Sequence, residues 1–478
     1  MISSLNSSDI FAISPVFILL AGGLILILLE SFFPSTARKT SFPIAIATLV
    51  LAGMAVAVAP VSANPLLTNW LYFDPLARFF ALLFILIALG STFLSVPFFK
   101  RFDASKGEYF FLLFSAVIGL LMISAAADFL TLFIGIETLS LSLYILCGYI
   151  KKWDSSREAS TKYFFNGALA AAFLLYGIAL IYGATGTTRF DGLLGKYQAI
   201  GSAADQALFL GGAAFITLGI AFKAAIFPVH AWAPDVYDGA PTPITAFMSV
   251  ATKAGAFAAF IRIFMGALPE FNPLWNQGTA LLVYPTLLYA NTVALCQTQL
   301  RRFFAYSSIA NAGFLLIPVA SGGPDAISAL LFYLVVYTLA TLTCFAILAF
   351  FDDKEEGVLF KDLKGLYRRS PVLALIFSLA LLTLGGIPPT AGFLAKFYLF
   401  KVAFQAKAYG LVVVGLLATI LSVFYYLRII ALMFTKEESR TAKLEYSYPA
   451  MGVGIFGLVA IAFLSIYPEP FLSLLAGL

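Results

Sequence analysis

Apolar stretches of about twenty residues recur along the whole chain, separated by short polar segments. A helix needs about 20 mostly apolar residues to cross a bilayer. Fourteen stretches meet that length, near 10–30, 42–63, 75–98, 109–127, 128–150, 158–184, 206–229, 240–265, 277–298, 302–321, 326–351, 371–403, 408–434 and 449–473. None alternates with the two-residue period of a membrane strand. The pattern predicts an all-α integral membrane protein with fourteen transmembrane helices. Two of the spans carry breakers. Span 7 runs through FKAAIFPVHAWAPD, with Lys223 followed by Pro228; span 12 reads LTLGGIPPTAGFLAKFYLF, with Gly385, Gly386, Pro388, Pro389 and Gly392 ahead of Lys396. Proline removes a backbone donor and clashes one turn back, so helices 7 and 12 are expected to be discontinuous at mid-membrane. Freed backbone groups at that depth are tolerated only inside protein or beside a wet cavity.

The polar segments give direction. With each loop numbered by the span it follows, the odd loops hold eighteen basic residues: Arg38, Lys39, Lys100, Arg101, Lys106, Lys151, Lys152, Arg157, Arg301, Arg302, Lys354, Lys361, Lys364, Arg368, Arg369, Lys436, Arg440 and Lys443. Even loops and both tails hold four, Arg189, Lys196, Lys401 and Lys407. Positive charge collects on the cytoplasmic side, so the odd loops are expected there and both termini in the periplasm. Helices 4–8 then start inside and helices 9–13 outside, as two inverted five-helix repeats with the broken helix fourth in each. FIRIF around Arg262 and YLRII around Arg428 close the fifth helix of each repeat. The chain divides into residues 1–108 (helices 1–3), 109–265 (first repeat), 277–434 (second repeat) and 435–478 (helix 14). Paired broken segments in inverted halves point to a transport site.

Composition agrees and removes other classes. Of 478 residues 61% are hydrophobic and 11% charged, against about 25% charged in a soluble domain. The net charge of +5 sits in loops, which points to the lipid bilayer and not to nucleic acid. Cys147, Cys296 and Cys344 are isolated, without a CxxC pair, and His230 is the sole histidine, so neither a disulfide framework nor a metal site is expected. The first apolar run lacks a basic lead-in and a clear cleavage site, and reads as a retained helix. No Walker loop, strand-borne GxGxxG or HExxH is present. The charged stretch 351–369 reads as a cytoplasmic connector.

Seven basic residues fall inside spans. Arg78, Arg262 and Arg428 lie near span ends and read as interfacial anchors. Lys162, near the inner end of span 6, suits an anchor or a relay. Lys223, Lys253, Lys396 and Glu137 lie well inside apolar runs, where each charge costs on the order of 3 kcal/mol. One ion pair would serve as structural glue; three lysines and a carboxylate exceed that need. Burial disfavours the charged form and a nearby opposite charge favours it, so moving a partner can load or release a proton. That is the property of a proton relay.

These same residues carry a resemblance. DFLTLFIGIETLSLSLYIL (128–146), SREASTKYFFNGALAAAFLLYGIALIYGATGT (156–187), FKAAIFPVHAWAPDVYDGAPTPITAFMSVATKAG (222–255), RRFFAYSSIANAGFLL (301–316) and LGGIPPTAGFLAKFYLF (384–400) resemble subunit N of bacterial respiratory complex I, the proton-translocating NADH–quinone oxidoreductase. The wider group is antiporter-like and includes subunits L and M and the Mrp-type sodium–proton antiporters. The stretch APDVYDGAPTP and a lysine at 396 resemble subunit N in particular; subunit M has a glutamate there. The resemblance implies that Glu137 on helix 5 pairs with Lys223, that Lys253 sits at the centre of a lateral charged axis, and that Lys396 marks the outlet. It implies that Lys162 links the Glu137–Lys223 pair to the axis and that His230 holds a familiar supporting position. It also implies that this chain binds no cofactor, with NADH, FMN, iron–sulfur clusters and quinone held by partner subunits, and that its partners are other membrane subunits, further antiporter-like ones among them. Related subunits often place histidines along the axis. With a single histidine, this chain's axis is expected to depend on lysine and water, assisted by Tyr or Ser hydroxyls. The competing readings are a subunit of a sodium–proton antiporter or of a hydrogenase- or ferredoxin-driven complex. A sodium site would want several oxygen ligands at mid-membrane, where Glu137 is the only carboxylate.

Overall fold

The structure, a computed structural model, describes residues 7–61, 64–102, 106–268, 272–351, 355, 357–436 and 444–477. Lys354, Arg440 and Lys443 of the connecting loops lie outside the described residues. Among the described residues thirteen helices are long and apolar enough to cross a membrane, and a fourteenth span is split into shorter pieces. They are α1 (Ser7–Phe32), α2 (Pro34–Val58), α3 (Pro75–Arg101), α4 (Lys106–Ala125), α5 (Phe129–Cys147), α6 (Asp154–Thr185) and the broken α7, as α7a (Ala203–Ala224) and α7b (Trp232–Gly239). Then follow α8 (Thr242–Phe260, continued by a π-helical turn Ile261–Ala267), α9 (Asn272–Leu295), α10 (Leu300–Ser321) and α11 (Ala326–Leu348). The broken α12 has halves α12a (Pro371–Gly385) and α12b (Ala391–Gln405); α13 (Tyr409–Met433) and α14 (Tyr448–Ile466) complete the bundle. Among the described residues β-structure is limited to isolated bridges between loops. The fold is thus the all-α membrane bundle with discontinuous helices 7 and 12.

Helix starts are set by local chemistry. Asp74 caps α3, accepting from the Ala77 amide at 2.8 Å, with Pro75 in the first turn. Asp128 caps α5 through the amides of Leu130 and Thr131. Gly186, at φ 70°, ends α6 in the left-handed region where glycine carries no steric cost.

Burial separates the layers. The apolar windows of α8, α10 and α11 are 100%, 94% and 94% buried, while those of α1, α6, α13 and α14 are 33% buried. The first three therefore form the interior, and the last four give most of their surface to surroundings outside the chain. Loop contacts sort by parity. At one end, Lys106 donates to the Arg38 carbonyl (2.9 Å), Arg101 pairs with Glu445 (3.0 Å), and the Ser155 amide donates to Glu355 (2.9 Å). At the other, the Ala127 amide donates to the Trp70 carbonyl (3.0 Å), the Phe129 amide to the Thr188 carbonyl (2.9 Å), and Lys401 pairs with Asp325 (3.2 Å). Odd loops meet odd loops and even meet even, which fixes the alternation of fourteen spans. The connector ends in two short helices, Phe360–Leu363 and Leu366–Arg369, that bury Leu363 and Leu366 against the bundle.

One basic residue departs from expectation. Arg262 is not an interfacial anchor. It is buried, its Nη2 donates to Asp74 (2.7 Å), its Nε donates to the Ser124 carbonyl (2.8 Å), and its guanidinium lies over the Tyr72 ring. The π-helical turn that carries it faces inward, so position near a span end did not mean exposure. Arg78 and Arg428 instead reach backbone carbonyls, of Ala59 and Leu295, from exposed positions.

Burial alone would raise the Asp74 carboxyl, but the hydrogen bonds and charge of Arg262, with the Ala77 amide, hold it below the ordinary aspartate range. The clamp is therefore at full strength above about pH 4 and weakens only as pH falls through the lowered folded value. Asp74→Ala leaves a buried guanidinium unpaired and is expected to cost about 3 kcal/mol, most of it recovered by adding Arg262→Met. Thermal unfolding of the purified assembly checks this; an unchanged midpoint in the single variant would contradict it.

Candidate functional site

Both helix breaks end the same way. In α7 the chain turns at Ala225, in the left-handed region at φ 57°, and the Ile226 amide donates to the Ala221 carbonyl (2.9 Å). In α12 the turn is at Gly386, at φ 75°, and the Ile387 amide donates to the Leu382 carbonyl (3.1 Å). Each is a helix C-cap that closes the orphan carbonyls of its last turn. Further groups near the breaks meet side chains. Trp232 Nε1 donates to the Phe222 carbonyl (2.9 Å), Phe227 N to Thr286 (3.1 Å), and Ala391 N to Ser465 (2.7 Å). Lys396 Nζ donates to the Gly385 carbonyl at 3.0 Å. The amine of the second break thus caps the helix half that ends beside it.

The breaks are equivalent, but their lysines are not. Lys223 precedes its break, in the last turn of α7a; Lys396 follows its break, on α12b. With Ala225 set against Gly386, Lys223 matches Leu384, and Lys396 matches Asp235. Asp235, on α7b, binds Lys162 (2.6 Å) and Arg302 (3.2 Å), and Arg302 also holds Asp238 (2.8 Å). This cluster ties α6, α7b and α10 together at the basic end of the bundle. Lys162 also pairs with Glu158 (2.7 Å).

The three mid-span lysines are 4%, 0% and 3% exposed for Lys223, Lys253 and Lys396, so none reaches out to headgroups. Lys223 Nζ has no hydrogen-bond partner and lies 5.3–5.5 Å from the ring centroids of Tyr163, Phe222 and Tyr144. Glu137 is half-buried on α5, on a face with exposed Ile134 and Leu141, and its Oε1 is likewise unpartnered. Glu137 and Lys223 act on each other electrostatically, but no hydrogen bond joins the amine to the carboxylate. The two groups that the resemblance pairs thus meet without a hydrogen bond to the amine. His230 is buried against Phe227 and Tyr289, with Nδ1 unpartnered. Among the described residues no group of three His, Cys, Asp or Glu could hold a metal ion.

From Lys253 a chain of hydroxyls crosses the interior. Lys253 Nζ donates to Tyr237 Oη (3.4 Å); Tyr237 Oη lies 3.5 Å from Ser308 Oγ; Ser308 Oγ lies 2.8 Å from Tyr337 Oη. Tyr337 Oη also donates to the Ser249 carbonyl (2.8 Å). A second group lies beyond it. Tyr333 donates to Asn311 Oδ1 (2.6 Å), Asn311 donates to the Ser307 carbonyl (2.7 Å), and Ser307 Oγ lies 2.5 Å from Tyr426 Oη. Lys396 donates to Ser422 Oγ (3.3 Å), one turn before Tyr426 on α13. Scanning for charge could not name these neutral residues. Their visible trace is four-residue spacing of polar groups in otherwise apolar spans: Tyr333 with Tyr337, Ser307 with Asn311, Ser422 with Tyr426.

Comparisons with known proteins identify the fold and the family. The family described as "NADH:quinone oxidoreductase/Mrp antiporter, TM" matches residues 126–422. A relative from Protochlamydia amoebophila (strain UWE25), named NADH-quinone oxidoreductase subunit N, is 58% identical over 477 residues, 99% of each chain. Among solved structures, a chain of respiratory complex I from Thermus thermophilus with bound aureothin superposes with a TM-score of 0.81 at 32% identity, over 97% of this chain and 99% of that one. A chain of the Mrp complex from Dietzia sp. DQ12-45-1b shares the fold, with a TM-score of 0.83 at 20% identity over 99% and 97%. The chain, a multi-pass inner-membrane protein, belongs to the transmembrane family shared by NADH:quinone oxidoreductases and Mrp antiporters, in the branch of NADH-quinone oxidoreductase subunit N.

Proposed function

We propose that this chain moves protons from cytoplasm to periplasm along Glu137, Lys223, Lys253 and Lys396, driven by electron transfer to quinone in partner subunits. The observation that carries the reading is the set of three lysines buried at mid-span, with hydroxyl groups in hydrogen-bond sequence leading away from the central one. A structural role needs each amine satisfied once. Lys223 Nζ and Glu137 Oε1 are instead buried without hydrogen bonds, the costly arrangement expected of groups that exchange partners.

Residues 109–265 and 277–434 act as the two transport halves, bracketed by 1–108 and 435–478. Displacement of a neighbouring subunit against the α5 face changes the field of Glu137 at Lys223. Lys223 passes its proton towards Lys253, and Lys396 releases it outward. Lys162 and His230 support the path at its cytoplasmic side and at the first break. Moving one proton against 100 mV requires about 2.3 kcal/mol, the size of a shift of about two pK units at one amine. NADH, FMN, iron–sulfur clusters and quinone belong to the partners in this reading.

In vesicles holding the whole reconstituted complex, Lys223→Ala is expected to slow proton translocation about 10²-fold or more, with assembly intact on a native gel. Native translocation in that variant would remove the proposal. Orientation is tested separately. A cysteine replacing exposed Arg189 is expected to react with an impermeant thiol reagent from the periplasm, and one replacing Lys151 from the cytoplasm; the reverse pattern would invert the pump.

A further inference from the structure

Away from the polar interior, a groove of ≈ 470 Å³ runs between α3, α11 and α14. Leu89 and Phe93 of α3, Leu342 of α11 and Phe456 of α14 line it, and Tyr448 is its only lining residue with a polar side-chain atom. Glycines shape the α14 side. At Gly457 a Cβ would run into Thr343 Oγ1, so α14 lies close on α11 there. At Gly452 a Cβ would meet nothing within 4 Å. An apolar space of this kind does not hold water.

The groove is one leaflet long. From Tyr448 to Gly457 α14 rises about 14 Å, and half of a bilayer's hydrocarbon core is about 15 Å. Its Tyr448 end lies on the odd-loop side, where Arg101 pairs with Glu445 (3.0 Å) and so ties the end of α3 to the residues just before α14. Tyr448 is almost wholly exposed, as befits an aromatic hydroxyl at headgroup level. Leu86, Gly90, Phe93, Pro97 and Lys100 follow one another at spacings of three and four along one face of α3. The line of the groove therefore leads to Lys100, which is exposed and, unlike Arg101, pairs with no carboxylate among the described residues.

We propose that this groove holds an acyl chain of an anionic phospholipid of the odd-loop leaflet, with the lipid phosphate on the Lys100 amine. The bilayer and the groove are equally apolar, so the chain enters without desolvation. What favours the site is close packing against Leu89, Phe93 and Phe456, contacts that an empty slot forfeits. The ammonium adds a charge-assisted hydrogen bond to a phosphate oxygen and favours negatively charged lipid. A partner helix would cross the whole core, about twice the length of the groove, and has no use for a cation at one end. The bound chain fills the space between α3 and the peripheral α14. None of this depends on the transport reading.

In the whole purified complex, high-resolution electron microscopy is expected to show an unbranched density along Leu89, Gly452 and Phe456, ending in a phosphate within hydrogen-bond distance of Lys100 Nζ. Gly452→Leu fills the groove from a position whose Cβ meets no neighbour, and it replaces a residue that weakens helices. That variant is expected to lose the density and one retained phospholipid per complex by native mass spectrometry. Lys100→Gln, at an exposed site, keeps the chain and is expected to lower the preference for phosphatidylglycerol over phosphatidylcholine about fivefold in exchange from mixed vesicles. A neighbouring subunit's helix seated in the groove, or an empty groove in a map that resolves lipid elsewhere, would overturn the proposal. So would a native lipid count in Gly452→Leu, or unchanged lipid preference in Lys100→Gln.

Discussion

Inside a hydrocarbon slab, a polar group has no water to fall back on, and every unmet hydrogen bond costs several kcal/mol. This chain opens two helices at that depth and buries three amines beside them. Several of the freed backbone groups are met from within: by the left-handed caps at Ala225 and Gly386, by the indole of Trp232, by Thr286 and Ser465, and by Lys396 itself. The heavily buried α8, α10 and α11 exist to surround these groups. Apolar content alone does not set their interior location, since α1 and α14, at least as apolar, remain at the periphery.

The two halves share a backbone plan and differ in chemistry. Where the second half places Lys396, the first has Asp235, engaged by Lys162 and Arg302. Where the first places Lys223, the second has Leu384. The amine of the first half therefore lies among aromatic rings without hydrogen bonds, while that of the second holds a carbonyl and a serine. One is held by no hydrogen bond, and Glu137, the nearby carboxylate, lies on a face the chain leaves half-open. The other is held in place at the far end of the polar line.

Much of this was legible in the residues. Apolar runs located the spans, loop charge set their alternation, and Pro228, Pro388 and Pro389 marked the breaks. Lys223, Lys253 and Lys396 stood out because charge in an apolar run is expensive. What stayed hidden were partners chosen by tertiary packing. Arg262 looked like a surface anchor because only its height in the membrane is readable from sequence; which way its helix face turns depends on Asp74, some 190 residues earlier. Tyr237, Ser308 and Tyr337 are neutral and common in membrane helices, and nothing local says that three different helices aim them at one another. How closely Glu137 approaches Lys223 is likewise a matter of side-chain reach across a helix interface.

The two caps carry unequal loads. Gly386 occupies the left-handed region without steric cost, whereas Ala225 sits there with a Cβ pressed towards its own backbone, at a cost of about 1–2 kcal/mol. The first kink is therefore a cocked spring and the second a slack joint. Any motion that lets Ala225 relax returns energy on the scale of carrying a charge through tens of millivolts. The half whose amine lacks a hydrogen bond is the half that is wound.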